Sequence, residues 1–193
     1  IAIGYRAGYK NRISSTNYNT FIGYNAGREV STGNHNVFLG NSAGYGVDGS
    51  DADNNVAIGS NSLVNITGNN NVSIGYEAGR YASGSSNTFI GYEAGEGGTT
   101  SAPFSSGEGN VALGYQALKA FTTGGDNIAI GYQAAEALTT SNMVIAIGHS
   151  AAQSFTGDRG YGVYIGRLAG QAETGVYNDT LSLIHISEPT RPC

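Results

Sequence analysis

The chain repeats one short motif ten times, and the period of that repeat limits the folds open to it more than any other feature. The unit reads Asn, a β-branched residue, a variable residue, Ile or Leu, Gly, often Tyr, any residue, Ala and often Gly. Asn71-Val72-Ser73-Ile74-Gly75-Tyr76-Glu77-Ala78-Gly79 and Asn87-Thr88-Phe89-Ile90-Gly91-Tyr92-Glu93-Ala94-Gly95 are full copies. The anchor glycines fall at Gly4, Gly23, Gly40, Gly59, Gly75, Gly91, Gly114, Gly131, Gly148 and Gly166. Successive anchors lie 16 to 19 residues apart, except for one interval of 23. Helical repeats need about 33 to 47 residues and propeller blades about 40 or more. A unit half that long holds two short strands and two turns.

Val-Ala-Ile has the pattern of a strand, with β-branched residues at alternate positions and a small one between. The positions three and one before the Gly share a face, and the position between them points the other way. The Gly permits a tight turn or a positive φ, and the Ala-Gly pair suits a crowded second corner or strand. Stacking such units predicts an all-β fold, a parallel β-roll or β-solenoid of about ten short coils. At about 4.8 Å per coil the rod is roughly 50 Å long. Seven of the nine complete copies open with Asn, at Asn19, Asn36, Asn55, Asn71, Asn87, Asn110 and Asn127. Stacked identical amides form a ladder, or each Asn caps its own turn; the residues leave both open.

A coil this small has a thin interior, and its Ile, Val and Leu stripe is too narrow to enclose much core. Phe21, Phe38 and Phe89 fall on the opposite face. Apolar residues on both faces imply that one packs inside the coil and the other against a partner. Three chains around a closed axis satisfy this, so a homotrimer is expected. The composition agrees with frequent turns: 31 of 193 residues are Gly and only 12% are charged. A net charge of −5 without basic clusters argues against nucleic acid. No stretch reaches 18 apolar residues, so no membrane insertion by this segment is expected.

The Asn-Val-Ala-Ile-Gly core followed by Ala resembles the head repeats of trimeric autotransporter adhesins, and the longer Ile-Gly-Tyr-x-Ala-Gly form resembles repeats of phage tail fibres and related bacterial surface proteins. The resemblance spans essentially residues 1–180. It implies a left-handed β-roll assembled as a trimer that binds a host-cell surface, glycan or matrix receptor, located outside the cell, at a cell surface or on a virion. The longer, irregular repeat and the frequent Tyr after the Gly depart from the adhesin heads and favour the fibre-like variant.

The last residues, 181–193, break the period and hold two of the three Pro and the only Cys. They resemble a translated sequencing adapter and are expected to be a non-native tail, with residues 1–180 forming the solenoid as a fragment truncated at both ends. Without Cys193 the chain has no thiol for disulfides, metal binding or catalysis.

Candidate binding residues are Tyr24, Tyr76, Tyr92, Tyr115 and Tyr132. They follow the anchor Gly, as Tyr5 does, and stacked coils line them up as an aromatic row. Such a row either stacks on sugar rings or forms a stabilising ladder. Phe104 joins them as an apolar contact in the loop Glu96–Gly109, which stretches the period. The acidic stretch Asp48–Asn55 lacks the spacing of a Ca²⁺ loop. His35 and His149 have no partner at ligand spacing, so no metal site and no cofactor is expected. No phosphate-binding Gly-Lys-Ser/Thr and no Gly-x-Ser-x-Gly occurs. Glu77 and Glu93 recur at one repeat position, a weak hint of a polysaccharide-acting enzyme. A Thr array for ice or crystal surfaces is represented only by Thr20 and Thr88. The sequence therefore points to a non-enzymatic fibre segment for adhesion or receptor binding, a spacer and loop-display scaffold.

Overall fold

The structure, a computed structural model, describes residues 1–11, 18–98, 104–156, 161–171 and 180–183, the last four by backbone alone. Its strands are β1 (Ala2–Ile3), β2 (Thr20–Ile22), β3 (Val37–Leu39), β4 (Val56–Ile58), β5 (Val72–Ile74), β6 (Thr88–Ile90), β7 (Val111–Leu113), β8 (Ile128–Ile130), β9 (Ile145–Ile147), β10 (Gly162–Ile165) and β11 (Thr180–Leu183). They form one 11-stranded sheet in strict chain order. Every neighbouring pair is parallel. The chain is thus a β-solenoid, as its period predicts, about 48 Å from first rung to last at the usual strand spacing. β11 brings Leu181, Ser182 and Leu183 into register with Val163, Tyr164 and Ile165, across the expected tail boundary. Residues 184–193 lie outside the described residues.

Among the described residues each coil contributes one strand, not two. Two isolated parallel bridges, Val30 to Ser50 and Ala82 to Ser105, stand where a second strand would run. The Ala-Gly segment forms a turn instead, because its backbone alternates in hand. Glu93 and Gly95 have φ of 52° and 53°, and Gln116 and Leu118 have 52° and 53°. The alternation aims amides both ways along the rod. Glu93 N–H donates to Tyr76 O in the preceding coil at 2.9 Å, and Gly95 N–H donates to Ala117 O in the next at 2.8 Å. Left-handed backbone costs a non-glycine residue about 1–2 kcal/mol, and these inter-coil bonds offset it.

The two faces of the sheet are the reverse of a Val, Ile and Leu interior. In β4 through β9 the middle residue is buried and its neighbours are not. The core column reads Phe21, Phe38, Ala57, Ser73, Phe89, Ala112, Ala129, Ala146 and Tyr164, all nearly inaccessible. The aliphatic stripe faces outward. The reason is the corner glycine: the strand turns away from the face of the branched residues, so only the middle position points into the coil.

The core is filled by an exchange of volume between positions six residues apart. Where the strand carries Phe21, Phe38, Phe89 or Tyr164, the turn carries Gly27, Gly44, Gly95 or Gly170, and a Cβ there would run into the ring of the same coil. Where the strand carries Ala57 or Ala112, the turn carries Leu63 or Leu118, both fully buried at φ 53°. Coils with Ala at both places bring in Leu138 or Phe155 from the following corner. Phe21 and Phe38 stack with centroids 5.2 Å apart.

The Asn column does more than either sequence reading. Asn71 Oδ1 accepts the backbone N–H of Asn87 at 2.9 Å, and Asn71 Nδ2 donates to Gly84 O at 3.0 Å. Each Asn therefore caps the next coil's turn, and Asn55 Nδ2 also donates within its own turn, to Asp53 O at 2.9 Å. The pattern holds from Asn19, which takes Asn36 N–H and Gly33 O, to Asn127, which takes Val144 N–H and Ser141 O. Direct amide contacts join Asn55 to Asn36, Asn71 to Asn55 and Asn127 to Asn110 at 3.0–3.1 Å. Ladder and cap are one network.

Two stability predictions follow from this packing. Phe38→Ala should cost about 3–5 kcal/mol, read as a lower urea midpoint. Gly44→Leu alone should also destabilise, by overlap with Phe38. The double variant copies the Ala57/Leu63 coil and should recover at least half of either loss. Asn71→Ala should cost about 3 kcal/mol, since a buried Asn87 N–H and Gly84 carbonyl both lose their partner.

Candidate functional site

The same geometry leaves two outward columns of branched side chains. One reads Thr20, Val37, Val56, Val72, Thr88, Val111, Ile128, Ile145 and Val163, and the other Ile22, Leu39, Ile58, Ile74, Ile90, Leu113, Ile130, Ile147 and Ile165. Only the rungs above and below shield them, and Val37, Leu39 and Ile90 are exposed outright. No charged residue interrupts either column. Thr20 and Thr88 stand singly among Val and Ile rather than as an array.

Across the glycine corner lies the Tyr column, split in two. Tyr5 and Tyr24 stack at 5.2 Å, then Asn41 and Ser60 interrupt the row. It resumes with Tyr76, Tyr92, Tyr115 and Tyr132 at 5.1–5.2 Å, with interplanar angles of 6–15°. His149 extends it, 4.9 Å from Tyr132. From sequence alone His149 is weighed only as a metal ligand; it directly follows anchor Gly148, and that position is the signal that it belongs to the row. His35 instead meets Tyr18 in a tilted contact, 5.1 Å between centroids. Because the rings cover one another's faces, a sugar could lie flat only at the ends of a stack. What reaches solvent along the column is ring edge and hydroxyl.

A polar row runs beside the rings. Gln116 Nε2 donates to Glu93 Oε2 at 2.8 Å, Gln133 Nε2 to Gln116 Oε1 at 3.0 Å, and Gln153 Nε2 to Gln133 Oε1 at 3.1 Å. Glu77 and Glu93 are not a free carboxylate pair. Arg80 sits 2.8 Å from Glu77, while Lys119 pairs closely with Glu93 and lies 3.5 Å from Glu96. Hydrogen bonds to Glu77 and Glu93 hold the Tyr76 and Tyr92 phenols above their usual range. Burial pushes Glu93 up, but hydrogen bonds from Lys119, Gln116 and Tyr92 together outweigh it, and its carboxyl sits below the ordinary value. Burial lowers Lys119, yet Glu93 and Glu96 raise it further, so its ammonium is held above the usual lysine value. Glu96 is raised, chiefly by burial. A shallow recess of about 410 Å³ opens here, between Glu96, Lys119 and Glu136.

The remaining candidates are dispersed. Phe104 is half-buried beside Ser105, which bridges to Ala82; residues 99–103 of the same loop, Pro103 included, lie outside the described residues. In the acidic stretch, Asp48 pairs with Lys10 at 2.7 Å, Asp51 accepts from Thr32, and Asp53 accepts the N–H of Asn34 at 2.6 Å. Among the described residues no group of three His, Cys, Asp or Glu is placed to hold a metal. No helix among them is long and apolar enough to cross a membrane. No protein-family model, curated protein or solved structure matches the chain.

The Lys119 cluster predicts a pH dependence. The Glu93 contribution is present above the ordinary carboxylate value and fades as pH falls through its depressed value. The Lys119 contribution is present below the ordinary lysine value and fades as pH rises through its elevated one. Glu96 acts oppositely, favouring the protonated form. Lys119→Met should therefore lower Tm most across the neutral window, and the gap from the parent should close in strong acid and above the lysine range. A pH-independent gap would assign the loss to packing of the lysine stem.

Proposed function

We propose that the chain is a non-enzymatic fibre segment that works outside the cell, at a cell surface or on a virion, as a stiff spacer and a scaffold for receptor contacts. In this reading it assembles as a homotrimer, and its partners are a host-cell surface, glycan or matrix receptor. The observation that carries the reading is the uninterrupted, uncharged aliphatic face. From β2 to β10 it runs about 38 Å, with two columns about 7 Å apart. With side-chain width that is roughly 400 Å² of contiguous apolar surface, within the range of a monomer's largest patch, which is often functional. Burying it contributes about 10 kcal/mol per chain before costs, on the scale of the freedom lost on association.

Three such faces meeting around one axis cover one another, and their parallel columns leave no unmatched end within the rod. The face is narrow, which suits convergence of three chains better than a broad two-sheet sandwich. The opposite side, with its polar row and irregular loops, stays available to a receptor. The resemblance to adhesin heads and tail fibres supports the same assignment.

Sedimentation of the chain at micromolar concentration should give the mass of a trimer. Ile74→Glu, in the middle of the face and outside the core, should shift it to monomer while its β-sheet circular dichroism persists. A parent that sediments as a monomer sinks the assembly reading, whatever the variant does. A glycan array then separates receptor binder from simple spacer.

A further inference from the structure

We propose that the hydroxyl edge of the Tyr76–His149 stack is a binding track for an extended, uncharged β-1,4-linked polysaccharide lying along the rod. This rests on the fibre reading above and specifies the receptor chemistry for one surface. Tyr76, Tyr92, Tyr115 and Tyr132 are each 41–45% exposed although both ring faces of the inner ones are covered. Their rings are nearly parallel, so the hydroxyls share the 5.1–5.2 Å ring period. A phenol both donates and accepts. The Tyr76 and Tyr92 hydroxyls hydrogen-bond to the carboxylates of Glu77 and Glu93, and the same repeat position carries Gln116 and Gln133 after Tyr115 and Tyr132. The surface is thus a comb of paired hydrogen-bonding groups, repeated once per coil.

Period decides what fits such a comb. An extended peptide presents equivalent side chains about every 6.7 Å and runs out of phase within a few rungs. Nucleic acid spaces its bases by about 3.4 Å, out of step with the 5.1–5.2 Å ring period. A β-1,4-linked chain of pyranoses advances by nearly the coil spacing per sugar. Successive sugars flip, but equatorial hydroxyls line both edges of the ribbon, so every rung meets one. Five rungs are few enough that a small mismatch does not accumulate to a missed contact. Individually weak contacts then add along the polymer, because each bound sugar raises the effective concentration of the next. With Glu77 and Glu93 paired to Arg80 and Lys119 and the rest of the row amide, the track carries little net charge and suits a neutral polysaccharide.

The test is affinity electrophoresis of the full chain through gels containing hydroxyethyl cellulose or glucomannan, with dextran and laminarin as differently linked controls. Retardation is expected in the β-1,4-linked gels alone. Titration with cello-oligosaccharides should show affinity climbing up to about the length of the five-ring stack and then levelling. Tyr92→Phe/Tyr115→Phe/Tyr132→Phe keeps the stack and removes only hydroxyls. It should weaken binding at least tenfold while sedimentation and β-sheet circular dichroism stay unchanged. Equal retardation in all gels, none in any, or full binding by the triple Phe variant overturns the track. If sedimentation still reports a trimer in those cases, the fibre reading survives and only the track is lost.

Discussion

The structure depends on how closely the corner glycines of successive coils approach. A Cβ on Gly40 would overlap the carbonyl oxygen of Gly59, and the same collision recurs at Gly4, Gly23, Gly59, Gly75, Gly91, Gly114, Gly131 and Gly148. The backbone there also takes φ near 130°, at 139° for Gly40, where side chains are rarely tolerated. Two independent requirements thus select one residue at one place in every coil. Once the corners are pinned, strand pairs with strand in register, and all other columns follow. Asn meets Asn, Phe meets Phe and Tyr meets Tyr because the glycines have aligned the rungs.

Within a coil, the constraint is volume. The interior is filled by large side chains supplied by the strand, by the turn six residues on or by the following corner, as with Leu63 and Ile66, or Leu118 and Phe121, all fully buried. The chain accepts left-handed backbone at Leu63 and Leu118 because the Leu side chain fills the space that a ring fills elsewhere. The Asn network removes the other cost of a thin coil, its unpaired turn amides, by handing each one to the amide side chain of a neighbouring rung. A solenoid built this way is quasi-one-dimensional: each coil is stabilised by its two neighbours, and length adds surface without adding a thicker core.

That geometry also explains the outer surface. Because the interior is filled by the middle strand position and the turn, the branched residues that favour strand formation are left facing outward. That outward face of β-formers is the physical ground on which we propose assembly around an axis. The stacked Tyr rings belong to the same logic. They consume their own faces, so any ligand along the column meets edges and hydroxyls.

The sequence by itself determined the parallel solenoid, ten of its eleven rungs and most of the residues that stack, because a period mostly of 16 to 19 with a repeated glycine leaves few ways to pair strands; the structure added β11 and His149. It also contained the exchange between Phe38/Gly44 and Ala57/Leu63, legible as a six-residue spacing once a reason to look for it exists. Which face of the strand is interior was decided only by the tertiary structure. Alternation separates Val56 and Ile58 from Ala57 but does not say which side the chain closes around, and hydrophobicity alone points the wrong way. The direction of the Asn caps was likewise decided by stacking, since Asn71 completes the turn of a coil that sequence proximity does not connect to it. Both depend on the sense in which the chain turns at Gly and on what the neighbouring rung then presents, and no single repeat carries that information.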